Sequence, residues 1–110
     1  MADEKDQVKM FYLKVHEVSG EVLVAVCDQE ILGKKFASGR LQIEVNEKFY
    51  KGVLAKEEEV FSALDKATIA NIVGNNIVEH AIKNSLVKQE NVLNIGGVRH
   101  AQIISIPKRK

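Results

Sequence analysis

Residues 57–86 read EEEVFSALDKATIANIVGNNIVEHAIKNSL, and their apolar spacing predicts two consecutive helices joined by a sharp turn. Glu57, Glu58 and Glu59 suit the positive end of a helix dipole. Val60, Phe61, Leu64, Ala67, Ile69, Ala70, Ile72 and Val73 then give the first helix an apolar side wider than a surface helix needs, so burial is expected. Gly74 supplies the residue that takes positive φ at a helix end. Asn75 or Asn76 caps the second helix, whose Ile77, Val78, Ala81, Ile82 and Leu86 form one stripe. Glu79, His80, Lys83 and Asn84 fall opposite that stripe.

On both sides of this segment the period changes from helix to strand. Residues 11–18 alternate, Ser19-Gly20 is a turn signal, and residues 21–27 form a nearly unbroken apolar run. The simple reading is a hairpin whose second strand is buried on both faces. Residues 28–32 are read as one helical turn capped by Asp28 and ended by Gly33. Residues 34–40 form a loop anchored by Phe36, and residues 40–45 alternate as a strand. Asn46-Glu47-Lys48 reads as a turn, and Phe49-Tyr50 as a short strand or bend. Beyond the helical pair, residues 92–95 and 98–106 form a hairpin about Gly96-Gly97, and Pro107 stops the return strand.

Strands before and after a central helical pair predict an α+β fold: a mostly antiparallel sheet with a pair of consecutive helices packed on one face. The other face is expected to stay partly open and to carry Tyr12, Lys14, His16, Arg40, Gln42 and Glu44. Residues 1–9 are a flexible N-terminal segment, 10–107 one globular domain and 108–110 a basic tail. The chain of 110 residues is long enough for one real core without metal or disulfide staples. Its net charge of +1 sets up no global field that would imply nucleic acid or membrane. A single cysteine, Cys27, fits a reducing compartment. No signal peptide or membrane-length apolar run is read, so a cytoplasmic home is expected.

Three chemistries are weighed. Cys27 and Asp28, with His100 and Gln102, are a candidate catalytic cluster, because a thiol needs a base or positive neighbour to become a nucleophile. The opposing reading is a small buried hydrophobe and a histidine bonded within the sheet. His16, Cys27, His80 and His100 lack the short spacings of structural zinc sites, so no metal and no cofactor are expected. The third is RNA. Residues 34–56 hold six basic residues against two acidic ones, and Arg99, Lys108, Arg109 and Lys110 follow without an acid. Basic side chains bind phosphates and exposed aromatics stack on unpaired bases. Asn71 stands apart: it is a poor helix former late in the first predicted helix, and a backbone tie to the Gly96-Gly97 turn is its expected role, with a ligand contact as the functional alternative.

The segments EVLVAVCDQEILGKKF, GRLQIEVNEKFYKG, ATIANIVGNNIVEHAI and VLNIGGVRHAQII together resemble the archaeal family known as domain of unknown function 424. The resemblance implies a stand-alone cytoplasmic protein with a compact fold, in the company of translation genes. It places Cys27, Asp28, Gly33, Asn71, Gly74, Gly96, Gly97, His100 and Gln102 in the family's shared blocks and transfers no catalytic residue. The leading expectation is therefore a non-enzymatic protein that binds RNA or a ribonucleoprotein such as the ribosome. Tyr12, Lys14, His16, Lys34, Lys35, Arg40, Arg99, Lys108, Arg109 and Lys110 are its contact residues. The alternatives are a small enzyme using Cys27 and His100, and a protein-interaction module, monomeric or weakly dimeric.

Overall fold

The computed structural model describes residues 9–104. The N-terminal segment up to residue 8, Pro107 and the basic tail of Lys108, Arg109 and Lys110 lie outside the described residues.

The chain opens with the expected hairpin. β1 (Phe11–Val18) and β2 (Glu21–Asp28) pair antiparallel over their full length. Ser19 and Gly20 both take positive φ in the turn, the backbone twist that fits a two-residue hairpin. A 3-10 turn at Gln29–Ile31 leads to a second hairpin, β3 (Lys35–Ser38) and β4 (Leu41–Glu44). A four-residue helix, α1 (Glu47–Tyr50), stands where a strand or bend was expected, because the Asn46 side chain accepts the Lys48 amide and starts a turn. The short strand β5 (Val53–Ala55) then pairs with β1.

The segment 57–86 differs from its sequence reading. α2 (Glu57–Asp65) ends eight residues short of Val73, and β6 (Ile69–Val73) follows as a strand. Thr68 makes the break: its amide donates to the Val22 carbonyl and its hydroxyl oxygen accepts the Val22 amide, which delivers the chain beside β2. Ile69, Ile72 and Val73 are β-branched and pack well on a pleated surface. Because β6 is apolar on both faces, it looks from sequence like a broadly apolar helix. α3 (Asn75–Lys83) follows directly, then β7 (Leu93–Ile95) and β8 (Val98–Ile104), joined by Gly96 and Gly97, both at positive φ.

The six-stranded sheet runs β5-β1-β2-β6-β8-β7 and is antiparallel everywhere except between β2 and β6. Helices α2 and α3 pack on one face, as the sequence predicts. Phe11, Val24, Val26, Ala70, Ile72 and Ile103 of the sheet meet Val60, Phe61, Leu64, Ile77, Val78 and Ala81 of the helices.

The opposite face is not open. The β3–β4 hairpin and α1 fold over it and make a second apolar cluster with Ala25, Cys27, Val45, Tyr50, Val73 and Val98 at its centre. Arg40 lies in the β3–β4 turn, and Gln42 and Glu44 lie on β4 of this separate two-stranded sheet, so none of the three is on the main sheet face. A strand face bearing Ala25, Cys27 and Val73 is too apolar to remain in water, and the hairpin covers it. The hairpin touches the sheet edge at Gly96, where a β-carbon would lie 2.7 Å from the Ala37 carbonyl oxygen. Only glycine permits that approach.

Candidate functional site

Between this hairpin and the sheet runs a groove of about 420 Å³. That volume lies within the roughly 300–1,000 Å³ of pockets that take small ligands. Leu41, Ile43 and Glu44 of β4, Phe49 and Tyr50 of α1, and Leu93 and Ile95 of β7 line it. Asn71 of β6 and His100 of β8 line it from the sheet, and Gln42 and Asn46 complete the wall. Leu41 and Leu93 are nearly half exposed at its margins.

The β6–β8 register pairs Val73 with His100 and Asn71 with Gln102, so Asn71 and His100 are diagonal neighbours on one face. His100 Nε2 lies 2.9 Å from Asn71 Oδ1. An amide oxygen only accepts, so Nε2 carries the hydrogen. Burial pushes the His100 imidazole below its ordinary pKa, so the neutral ring keeps a lone pair on Nδ1. Asn71 Nδ2 keeps its two hydrogens, and neither Nδ2 nor Nδ1 has a protein partner among the described residues. The groove is thus lined by a residue with a free donor and a residue with a free acceptor, along with Gln42, Glu44 and Asn46, in an otherwise apolar wall. The Asn71 side chain bonds His100 rather than the glycine turn. That turn is held instead by Asn75, whose Nδ2 donates to the Gly97 carbonyl, and by Asn94, whose Oδ1 accepts the Gly97 amide.

The four residues of the candidate catalytic cluster do not converge. Cys27 is fully buried, and burial, with Asp28 beside it, pushes its thiol up to about 12. It pairs with Val73, which in turn pairs with His100 on the next strand. Strands lie about 4.8 Å apart, so two such steps put the backbones of Cys27 and His100 roughly 10 Å apart with Val73 between them. Nothing in this arrangement activates the thiol. Asp28 has a structural task. Its Oδ2 accepts the Asn76 amide and its Oδ1 the Ile77 amide, both at 2.9 Å, so it caps α3 rather than the turn that follows it in sequence. Gly74, at φ 127°, makes room for that carboxylate. Gln102 is exposed on β8.

The candidate RNA contacts divide into two groups. Four have their polar or apolar groups engaged within the fold. Tyr12 packs against the second apolar cluster. Lys14 Nζ donates to the Lys48 carbonyl. His16 donates from Nε2 to the Phe49 carbonyl and stacks on the Phe49 ring at 4.9 Å. Arg99 donates to the Asn75 backbone and side-chain oxygens and pairs with Glu79 at 3.1 Å. Lys34, Lys35 and Arg40 form the other group. All three are exposed on the β3–β4 hairpin, and no ion pair among the described residues engages them. Sequence reading missed Leu41, Tyr50 and Leu93 as groove residues; Asn71 was marked by its poor fit to a helix.

Among the described residues no three of His, Cys, Asp and Glu gather closely enough to hold a metal ion. No helix among them is long and apolar enough to cross a membrane. The family model for "Protein of unknown function (DUF424)" matches residues 16–106. No curated protein matches the chain. A crystal structure of an uncharacterized conserved protein from Methanopyrus kandleri is similar in fold, with a TM-score of 0.74. It is 20% identical in sequence, and the alignment covers 92% of this chain and 96% of that one. The chain therefore belongs to the DUF424 family.

Proposed function

We propose that this DUF424 protein is a non-enzymatic binding protein for RNA, docking on a ribonucleoprotein of the translation machinery through its β3–β4 hairpin. The observation that carries the reading is that the hairpin bears three exposed cations, Lys34, Lys35 and Arg40, none of them in an ion pair among the described residues, on a chain whose net charge is only +1. Lys48 and Lys51 at α1 are exposed as well, next to the exposed acids Glu44 and Glu47. A cationic patch of this kind binds phosphates by releasing their counterions, so affinity falls with salt. The burial of Cys27 and its raised thiol pKa favour this reading over nucleophilic catalysis.

The test is a titration with a short single-stranded RNA at 50 and 200 mM salt. Three phosphate contacts on a single strand give a slope of about −2 in log K against log salt, or roughly a fifteenfold loss over that range. Replacing Lys34, Lys35 and Arg40 together by glutamine is expected to flatten the slope. Absence of binding at 50 mM salt removes the proposal.

A further inference from the structure

We infer that the groove between β4 and β7 takes one unpaired base of the bound RNA strand, and that His100 and Asn71 read its edge. This rests on the RNA reading of the hairpin and says where the strand runs. The groove has the features that a base requires. Its apolar lining includes Phe49 and Tyr50, packed edge to face at 4.9 Å and 83°. Tyr50 is buried and His16 stacks on the Phe49 ring, so a base would rest on what Phe49 leaves open and on Leu41, Ile43 and Leu93, an apolar surface that a flat ring gains from covering. Among the groove's polar groups, beside Gln42, Glu44 and Asn46 of the hairpin side, are one acceptor, His100 Nδ1, and one donor, Asn71 Nδ2, both without a protein partner among the described residues. Each of the four bases carries an adjacent donor and acceptor on one edge, and unpaired bases are recognised through such edges.

Charge complementarity selects a polyanion over a neutral peptide. Arg40 immediately precedes the groove-lining Leu41, and Lys35 stands opposite Glu44 in the hairpin register, which offsets the acid that lines this wall. A base seated in the groove therefore has its phosphates beside the hairpin cations.

The experiment uses a single-stranded octaribonucleotide and a series in which each position in turn is made abasic, leaving the phosphates unchanged. Binding to the intact protein is read at 50 and 200 mM salt. One abasic position should weaken binding on the order of tenfold, the loss expected when a stacked base is removed, with the salt slope unchanged. His100→Ala and Asn71→Ala should each erase the distinction between that position and its neighbours. The abasic series needs no altered protein, so a misfolded variant does not obscure the result. If the intact octamer binds with its full salt slope and every abasic version binds equally, only phosphates are contacted and this inference is overturned while the RNA reading stands. If a free nucleoside monophosphate binds as tightly as the octamer, the occupant is a free nucleotide and the inference is again overturned. If the octamer does not bind at all, the RNA reading fails first.

Discussion

Replacing Asp28 by alanine tests the claim that this buried acid caps α3. The side chain is 3% exposed and accepts two backbone amides, those of Asn76 and Ile77. Each amide left unpaired in a buried setting costs about 1–3 kcal/mol. Removing a carboxylate whose burial is itself unfavourable offsets part of this. A net loss of about 2–3 kcal/mol is expected, at or just above the upper end for helix caps because two amides lose their acceptor. For 110 residues, an unfolding entropy of about 2.1 cal/mol/K per residue turns that loss into a fall of roughly 10 °C in Tm. Asp28→Asn keeps one acceptor and should lose about half as much.

Gly74 supplies the cross-check. A β-carbon there would collide with the Asp28 carboxylate, and φ 127° is a region that other residues rarely adopt. Gly74→Ala should cost about 2 kcal/mol or more. In the Asp28→Ala background the collision is gone and only the backbone strain remains. The double variant should then fall short of the summed losses by about 1 kcal/mol. The pH course has a definite sign. Burial raises the Asp28 pKa above its ordinary 3.8, against the pull of the two amide hydrogen bonds and with a further push from Glu30. The folded state thus holds a proton that the unfolded state has released, and the stability of the wild type relative to Asp28→Asn falls as pH rises from about 4 through the folded pKa. Thermal and urea unfolding followed by circular dichroism measure all of these. Asp28→Ala within about 0.5 kcal/mol of wild type, or strict additivity with Gly74→Ala, refutes the cap.

Two further outcomes follow from the groove and its neighbours. His100 has a pKa lowered by burial from 6.5; its contribution to stability is therefore complete above about pH 6.5 and is lost as pH falls through the folded pKa, because the unfolded chain takes up the proton first. His100→Gln should remove that acid limb, so wild type loses more stability than the variant between pH 7.5 and pH 5, and equal losses in urea midpoints refute it. Cys27 should react with a thiol reagent at pH 8 at least about a hundredfold more slowly in the native protein than in denaturant, since a buried thiol with a pKa of about 12 reacts only when the structure opens. Equal rates would restore the case for a reactive thiol.

The sequence is most legible where local chemistry dictates local structure. Ser19-Gly20 and Gly96-Gly97 mark hairpin turns because positive φ is needed there, and both turns adopt it. The stripe from Ile77 to Ala81 marks α3 because its polar and apolar sides separate. Residues 69–73 were illegible as a strand because β6 is buried on both faces and no Gly or Pro separates it from α2. Asn71 was the available signal. An asparagine late in an apolar helix is out of place, whereas in a strand it faces one side and leaves Ala70 and Ile72 to the helix-side core. The groove was illegible for a different reason. It exists only because residues 35–44 fold back across strands that are distant in sequence. The same folding accounts for Tyr12 and Cys27, whose outward alternation in β1 and β2 points into a second apolar layer rather than into water.

That second layer differs in kind from the helical one. Among the described residues β3 and β4 pair only with each other, and a two-stranded hairpin by itself is marginal in water. Val45 and Tyr50 are buried beneath it, Phe36 and Ile43 are only partly so, and Gly96 lets the β7–β8 turn meet Ala37. The helices instead bury Val60, Leu64, Ile77 and Val78 completely against the sheet. Local opening follows the weaker packing, so the hairpin is the layer expected to yield first. This is also the layer that carries Lys34, Lys35 and Arg40 and forms one wall of the groove. A strand of RNA with its phosphates on the hairpin and a base against His100 and Asn71 would bind both layers together. Binding and closure of the hairpin are then one equilibrium, and the polar pair lies on β6 and β8, the rigid side, where its geometry does not depend on the hairpin's position.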